Sequence, residues 1–382
     1  MIDQTPKEIT VTLILGLLIG LLIFLFFKTL RWIELQHLIW NEMQIPYHLI
    51  ALPAVLFLLF EIKKRTLYFP SKVSEVTKSH IELVQHWSPA MSFFHFIGTS
   101  LSHLVGASVG REGTVILMSA GLVRLFKLSW NFWGPIALTI GFSAVVGQPL
   151  VSVIFIMEVF STSIKQKIYA FIGAMTASLL MQTLKTPHLF ESFQIQSNFS
   201  FFQKFFFVLF TGVLAGYMMR VYKKGYFYLS DYFQRHSVLV KISTASALAI
   251  FLGLPGIRKF QGLGILQLEN IQNLAAQPSD VVIKLFVTLL SVTLGFWGGE
   301  FIPLVYAGLH FGNVISQFFQ FDLILGSMLC AYLFFAGATR LKWTTLVLTI
   351  LLVGWGWWFW AYVLVFSCVH FSGPESIYKS HN

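Results

Sequence analysis

Charge is scarce in this sequence, and acid scarcer still: only 11% of its 382 residues are Asp, Glu, Lys or Arg, with 16 acidic residues against 26 basic ones. A soluble chain of this length would need more polar surface, and 56% apolar content with a mean hydropathy of +0.73 leaves too little for it. Cysteine is nearly absent. Cys330 and Cys368 stand in apolar surroundings without CxxC spacing, which excludes a disulfide framework or metal knuckle and leaves them as packing residues. His103 has no second His or Cys at ligand spacing and there is no HExxH, so neither a metal site nor a cofactor is expected. No nucleophile and base pair stands out among the isolated Ser and His residues, which argues against an enzyme. A net charge of +10 would suggest a nucleic-acid partner in a soluble protein. Here the cations fall in short clusters between apolar segments: Lys63, Lys64 and Arg65; Lys165 and Lys167; Arg220, Lys223 and Lys224. Such clusters mark the loops of a membrane protein, so the expected partner is the lipid bilayer and not nucleic acid.

What is abundant is apolar sequence. Residues 9–30 form a run of 22 with Lys28 near its end, enough at about 1.5 Å per residue to cross about 30 Å of hydrocarbon. Met1 to Glu8 carries mixed charge and no cleavage-site pattern follows, so an uncleaved transmembrane helix is predicted. A second span, 47–62, ends in the Lys63 cluster and so places that cluster and the N-terminus in the cytoplasm, with Lys28 and Arg31 weighing against it. Further apolar segments are predicted at 93–107, 135–146, 150–160, 168–184, 205–219, 238–254, 281–295, 303–315, 323–335 and 344–365. Many are too short for a simple span and are cut by Gly or Pro. Broken backbone at membrane depth survives only where protein or a water-filled cavity covers it, which points to a transporter or channel interior.

The stretch 184–201, with Lys185, Pro187, Glu191, Gln194 and Ser197, divides the chain near its middle. The expected organisation is a first membrane half at 1–184, a linker at 185–201 and a second half at 202–382. Each half carries one Gly-rich break with a glutamate in it, from Gly106 to Thr114 and from Gly295 to Pro303. Interrupted segments at corresponding positions of two halves point to a binding site near the bilayer midplane. A helix starting at Thr114 or Pro303 leaves its first amides without partners and carries about +0.5 charge there, so an anion is the natural guest. Glycine before each start permits close approach and positive φ, although tight helix packing uses glycine too. Glu112 could take the anion's place when ionised and vacate it when protonated, acting as both gate and proton carrier. Alternatively it pairs with Arg111 or caps its helix. Glu300, the only Asp, Glu, Lys or Arg between Leu285 and Phe321, is either a proton-relay carboxylate or an N-terminal cap.

These residues resemble a known family, the CLC chloride channels and anion/proton antiporters. Gly110-Arg111-Glu112-Gly113-Thr114 is similar to the family's GREGP motif, which carries its gating glutamate, and Phe142 to Glu158 looks like the helix pair that follows. Gly262-Leu-Gly264-Ile265 resembles a short YLGLG-type segment, and Gly298 to Asn313 the second anion-facing helix start. Within the family the sequence most resembles the bacterial fluoride/proton antiporter branch, where GREGT replaces GREGP and the later motif reads GGEVTPL. Here that motif reads GGEFIPL, with Ile302 in place of a threonine. Phe371 to Tyr378 looks like the branch's FSGxxGIY ending, so the resemblance makes Tyr378 the tyrosine whose hydroxyl faces the anion. By the same likeness Gly110, Arg111, Gly113, Thr114, Gly299, Phe301 and Ile302 surround the anion and Glu112 gates it. Chloride/proton exchangers often carry a second glutamate after the position of Glu158, but Val159 stands here, so Glu300 becomes the candidate second proton site.

The departures are specific. The family's Gly-rich first anion loop falls by spacing near Lys72, Val73 and Ser74, which include no glycine, and Gly337-Ala-Thr339-Arg340-Leu-Lys342 has Arg and Lys where the branch has Asn and Pro. The expectation is an all-α polytopic membrane protein with a CLC-like inverted repeat of two halves and many short, tilted and broken helices. The resemblance implies a homodimer in the bacterial inner membrane, exchanging fluoride or chloride for protons. A passive chloride channel and a transport-impaired structural homologue are the rivals.

Overall fold

The computed structural model describes residues 5–42, 46–65, 90–186, 199–264 and 276–378, and among these the regular structure is helical, joined by turns and short irregular segments, with an isolated bridge between Gly110 and Gly299. The first stretch of helices is α1 (Thr5–Glu42), α2 (Tyr47–Ile50), α3 (Leu52–Arg65), α4 (Met91–Leu104), α5 (Glu112–Leu125), α6 (Trp130–Val146), α7 (Pro149–Val159) and α8 (Ile164–Thr183). Then come α9 (Phe201–Arg235), α10 (Val238–Gly253), a 3-10 turn at Arg258–Phe260, α11 (Pro278–Leu294), α12 (Phe301–Phe319), α13 (Leu323–Cys330), α14 (Leu333–Thr339), α15 (Lys342–Val353) and α16 (Trp358–Phe371). The expected first-loop residues Lys72, Val73 and Ser74 lie outside the described residues, as does most of the expected linker.

Two helices, α1 and α9, are long and apolar enough to cross a membrane. Along α1, Leu13, Leu17, Leu21 and Leu25 are exposed while Leu15, Ile19, Ile23 and Phe26 are buried. A helix that shows leucine on its outer side as well as its inner one faces lipid there. Its inner side packs closely on α8: a Cβ at Gly16 would lie 2.7 Å from the Gly173 carbonyl, and Gly20 faces Ala177 at 3.2 Å. In the second stretch α9 meets α16 the same way, with a Cβ at Gly212 or Gly216 falling 2.8 or 2.7 Å from the Leu364 or Cys368 carbonyl. Glycines four apart let backbones touch where no hydrophobic force separates protein from lipid. Capping boxes start both partners of this scheme, Ser163 with Gln166 before α8 and Ser200 with Gln203 before α9.

Several boundaries differ from the sequence reading. The helices of the two breaks begin at Glu112 and Phe301, two residues before the expected Thr114 and Pro303, because both glutamates already have helical backbone or cap it. Segment 323–335 is broken at Ala331 and Tyr332, and 344–365 at Gly354, whose φ of +94° stops α15. The cluster Arg220, Lys223 and Lys224, read as a loop, lies inside α9, and Lys223 is fully buried. No Gly or Pro interrupts that stretch, so the helix runs on through its charges.

Candidate functional site

After α4 the chain turns at Gly106 (φ +82°), runs extended to Gly110 and enters α5; after α11 it turns at Gly295 (φ +105°), runs to Gly298 and enters α12. The two extended pieces cross. Gly110 and Gly299 form an antiparallel bridge in which each amide donates to the other's carbonyl, Gly299 N–H to Gly110 O at 2.9 Å. The crossing explains the glycines. A Cβ on Gly298, at φ +149°, would stand 2.6 Å from Val109 Cβ, and one on Gly299 would stand 3.0 Å from the Gly113 nitrogen. Their first use is therefore backbone meeting backbone, the packing alternative left open by the sequence, and this is what sets the two helix starts side by side.

Glu112 opens α5 and is 1% exposed. Its carboxylate folds back over its own helix start, accepting from the Arg111 amide at 3.2 Å and facing the Arg111 Nε at 3.4 Å. The Arg111 guanidinium lies over the Phe27 ring, 3.7 Å from its centre, so a positive group and the amide it rides on both meet the carboxylate. The pairing with Arg111 left open by the sequence is present in this geometry. Thr114 is less available than expected, because its hydroxyl pairs with that of Thr99 at 2.8 Å.

Glu300 occupies the cap position of α12, yet its side chain makes no capping hydrogen bond, so the helix-cap alternative fails on geometry. It lines a cavity of about 210 Å³ together with Gly298, Gly299, Tyr226 and Tyr378, and the cavity walls also carry Lys63 and Lys241. Tyr378 therefore sits against the same opening as Glu300, and its ring lies edge-on to Phe335 at 6.0 Å. Phe301 contributes backbone to the start of α12, while its ring is taken up by Phe142, Tyr332 and Phe335. Ile302 is fully buried and is not among the residues that line this cavity.

Sequence reasoning missed several residues around these starts. Tyr222 and Tyr226, four apart on α9, lie near Glu300, and Tyr332 lies near Glu112. The helical spacing of the first two was the available signal; Tyr332, at an unmarked helix break, gave none. Glu158 caps α15 from the end of α7, accepting from the Trp343 amide at 3.0 Å and from the Thr344 amide and hydroxyl at 2.8 and 2.7 Å. Arg340 donates to the Gly373 carbonyl, and Lys342 lies over Trp343 and Phe366. Cys330 and Cys368 are buried and free, and no cluster of His, Cys, Asp or Glu that could hold a metal occurs among the described residues.

Residues 67–369 match the family described as "Voltage gated chloride channel". A curated "Chloride/fluoride channel protein" of Pseudomonas syringae pv. tomato is 27% identical over 283 residues, 68% of this chain; the chain spans 61% of that relative's length. A solved CLC-type fluoride/proton antiporter superposes with a TM-score of 0.85 at 21% identity, covering 99% of this chain and 98% of that one. A slow cyanobacterial Cl-/H+ antiporter gives 0.81 at 17% identity, covering 98% and 96%. A eukaryotic CLC transporter gives 0.77 at 15%, covering 99% and 74%. At these identities the structural likeness is one of fold.

Proposed function

Because this chain belongs to the voltage-gated chloride channel family, we propose that it is an integral membrane transporter exchanging fluoride or chloride for protons, with Glu112 as gate and proton carrier and Glu300 as the second proton site. The observation that carries this reading is the reciprocal bridge between Gly110 and Gly299, which sets two helix starts, each with a buried carboxylate, against one another. An anion between them meets the positive ends of α5 and α12. While ionised, Glu112 spends the donors of its own helix start on itself. On taking up a proton the carboxyl loses the charge that holds it there, and the Arg111 amide and guanidinium are released to an anion. The proton then travels with the carboxyl in one direction and the anion moves in the other.

Glu300 faces the cavity through which the second exchange with solution takes place, and Tyr378 supplies a hydroxyl at its wall. Lys63 and Lys241 give that cavity a positive wall, which raises the local anion concentration. The basic end of α3 is placed in the cytoplasm by the positive-inside rule, and the cavity opens to that side. Residues 1–184 and 202–382 are read as inverted halves joined at 185–201, supported by the way each stretch closes its first helix on its last through paired glycines. A homodimer in a bacterial plasma membrane is part of the proposal; the resemblance supports the first and the bacterial relative the second. Fluoride stands ahead of chloride on GREGT, Glu300 and the terminal tyrosine.

Purified protein in liposomes tests the reading, with fluoride and chloride efflux measured beside internal pH. Exchange drives protons uphill on an anion gradient. Flux without uphill proton movement makes the protein a channel, and flux no higher than in protein-free liposomes makes it a transport-inactive homologue.

A further inference from the structure

Residues 372–378, which bring Tyr378 to the cavity, follow the last helix; Ser372 and Gly373 still donate back to the Cys368 and His370 carbonyls, and beyond them the segment leaves the helix. They are tied instead to two cations from other elements. The fully buried Lys223 of α9 donates to the Glu375 carbonyl at 2.6 Å and to the Ser372 hydroxyl at 3.3 Å. Arg340, at φ +63° on the end of α14, donates to the Gly373 carbonyl. Two further bonds fix the register: Ser376 Oγ donates to Thr339 O at 2.7 Å and Ile377 N–H to Ala338 O at 3.1 Å. Burying an ammonium in the middle of an apolar helix is costly unless its donors are all used on something well placed. Here the acceptors belong to one segment, within six residues of the tyrosine.

Resting on the proposed transport reading, we propose that Lys223, seconded by Arg340, is a positioning residue for Tyr378: it fixes the tail so that the tyrosine hydroxyl holds its place beside Glu300. This gives Arg340 a use. The arginine that stands where the branch has Asn is a strut of the tail, not a sign of a transport-impaired homologue.

The test uses the full chain in liposomes with Lys223→Met, which keeps the side-chain stem and removes the charge, Lys223→Arg, Tyr378→Ala, and the double variant Lys223→Met/Tyr378→Ala. Lys223→Met is expected to lower halide flux about tenfold and to flatten the fluoride-to-chloride ratio as Tyr378→Ala does, while Lys223→Arg restores both to within about threefold of wild type. The double variant is expected to be no worse than Tyr378→Ala alone, since a residue acting only through the tyrosine has nothing left to position. Wild-type flux and selectivity in folded Lys223→Met, or losses that multiply in the double variant, would overturn the assignment. If Lys223→Met does not fold, Arg340→Gln, which frees the same tail from its other side, carries the comparison. A 19F signal from fluorotyrosine at 378 reads the latch without transport: one sharp line in wild type and an averaged or split line in Lys223→Met are expected. An unchanged line sinks the latch even if transport holds, and absent transport with a changed line sinks only the transport reading.

Discussion

At the Gly110 start the carboxylate has a guanidinium against it; at the Gly299 start it has a cavity. The two starts share a backbone, each piece bonded to the other and each entering a helix whose first three turns are buried. What hangs on the backbone differs. Glu112 is closed in, compensated by Arg111, which is itself seated on Phe27. Glu300 has no basic residue next to it in sequence and opens toward Tyr378, Tyr226 and two lysines. A buried charge must be paired, hydrated or neutralised. Pairing suits a group that blocks and must be displaced, and access to water suits a group that passes protons on.

Removing the shared backbone is the severest way to break this comparison. Gly298→Ala puts a Cβ 2.6 Å from Val109 and asks alanine to hold φ +149°, so most of the folded protein is expected to be lost, visible as a collapse of the monodisperse peak on size exclusion. Gly256→Ala is the control: φ is positive there as well, at +80°, but nothing lies within 4 Å, so a cost of only about 1 kcal/mol is expected. Equal yields of the two variants would mean the crossing is not as close as described.

Next comes the proposed gate. Glu112→Gln keeps the shape and removes the titrating group, so uphill proton movement is expected to fall to background while anion flux continues, read by a pH dye inside liposomes. Retained pumping takes Glu112 out of the role. Glu300→Gln is expected to remove coupling too, but with little loss of stability, since the side chain makes no cap bond whose removal would cost about 0.5 to 2 kcal/mol. A drop in melting temperature of that size with normal coupling would turn Glu300 into a structural residue. The smallest effect is at Ile302. Its side chain is buried away from the cavity wall, so Ile302→Thr should change the fluoride-to-chloride flux ratio by less than about threefold, where a hydroxyl on the ion would give about tenfold for roughly 1.4 kcal/mol. A tenfold change would place residue 302 on the pathway after all.

The two starts were legible in the sequence because a glutamate among glycines inside apolar sequence is a local signal. Their partnership was not, since a bridge between Gly110 and Gly299 depends on how distant segments cross, and no spacing encodes that. The same limit explains Lys223. Beside Arg220 and Lys224 it has the composition of a loop, and only the arrival of Glu375 and Ser372 from the end of the chain makes burial affordable. The break at Ala331 and Tyr332 has no Gly or Pro to announce it, and packing overrides helical preference there. Gly354 did carry a mark, one hidden by the apolar residues around it. Tyr378 came from the terminal motif alone, and that the Phe301 ring packs on Phe142, Tyr332 and Phe335 had no mark in the sequence.

The crossing at Gly110 and Gly299 also bears on how such a protein can move. Many transporters expose a fixed site to each side in turn by tilting one bundle against another. Two peptide groups bonded to each other across the site act as a pin through both bundles, and a tilt large enough to open a passage would have to pull that pin. The cheaper course leaves the backbone still and swings single side chains, and the proposed exchange would then run on rotamers turning on a stationary frame.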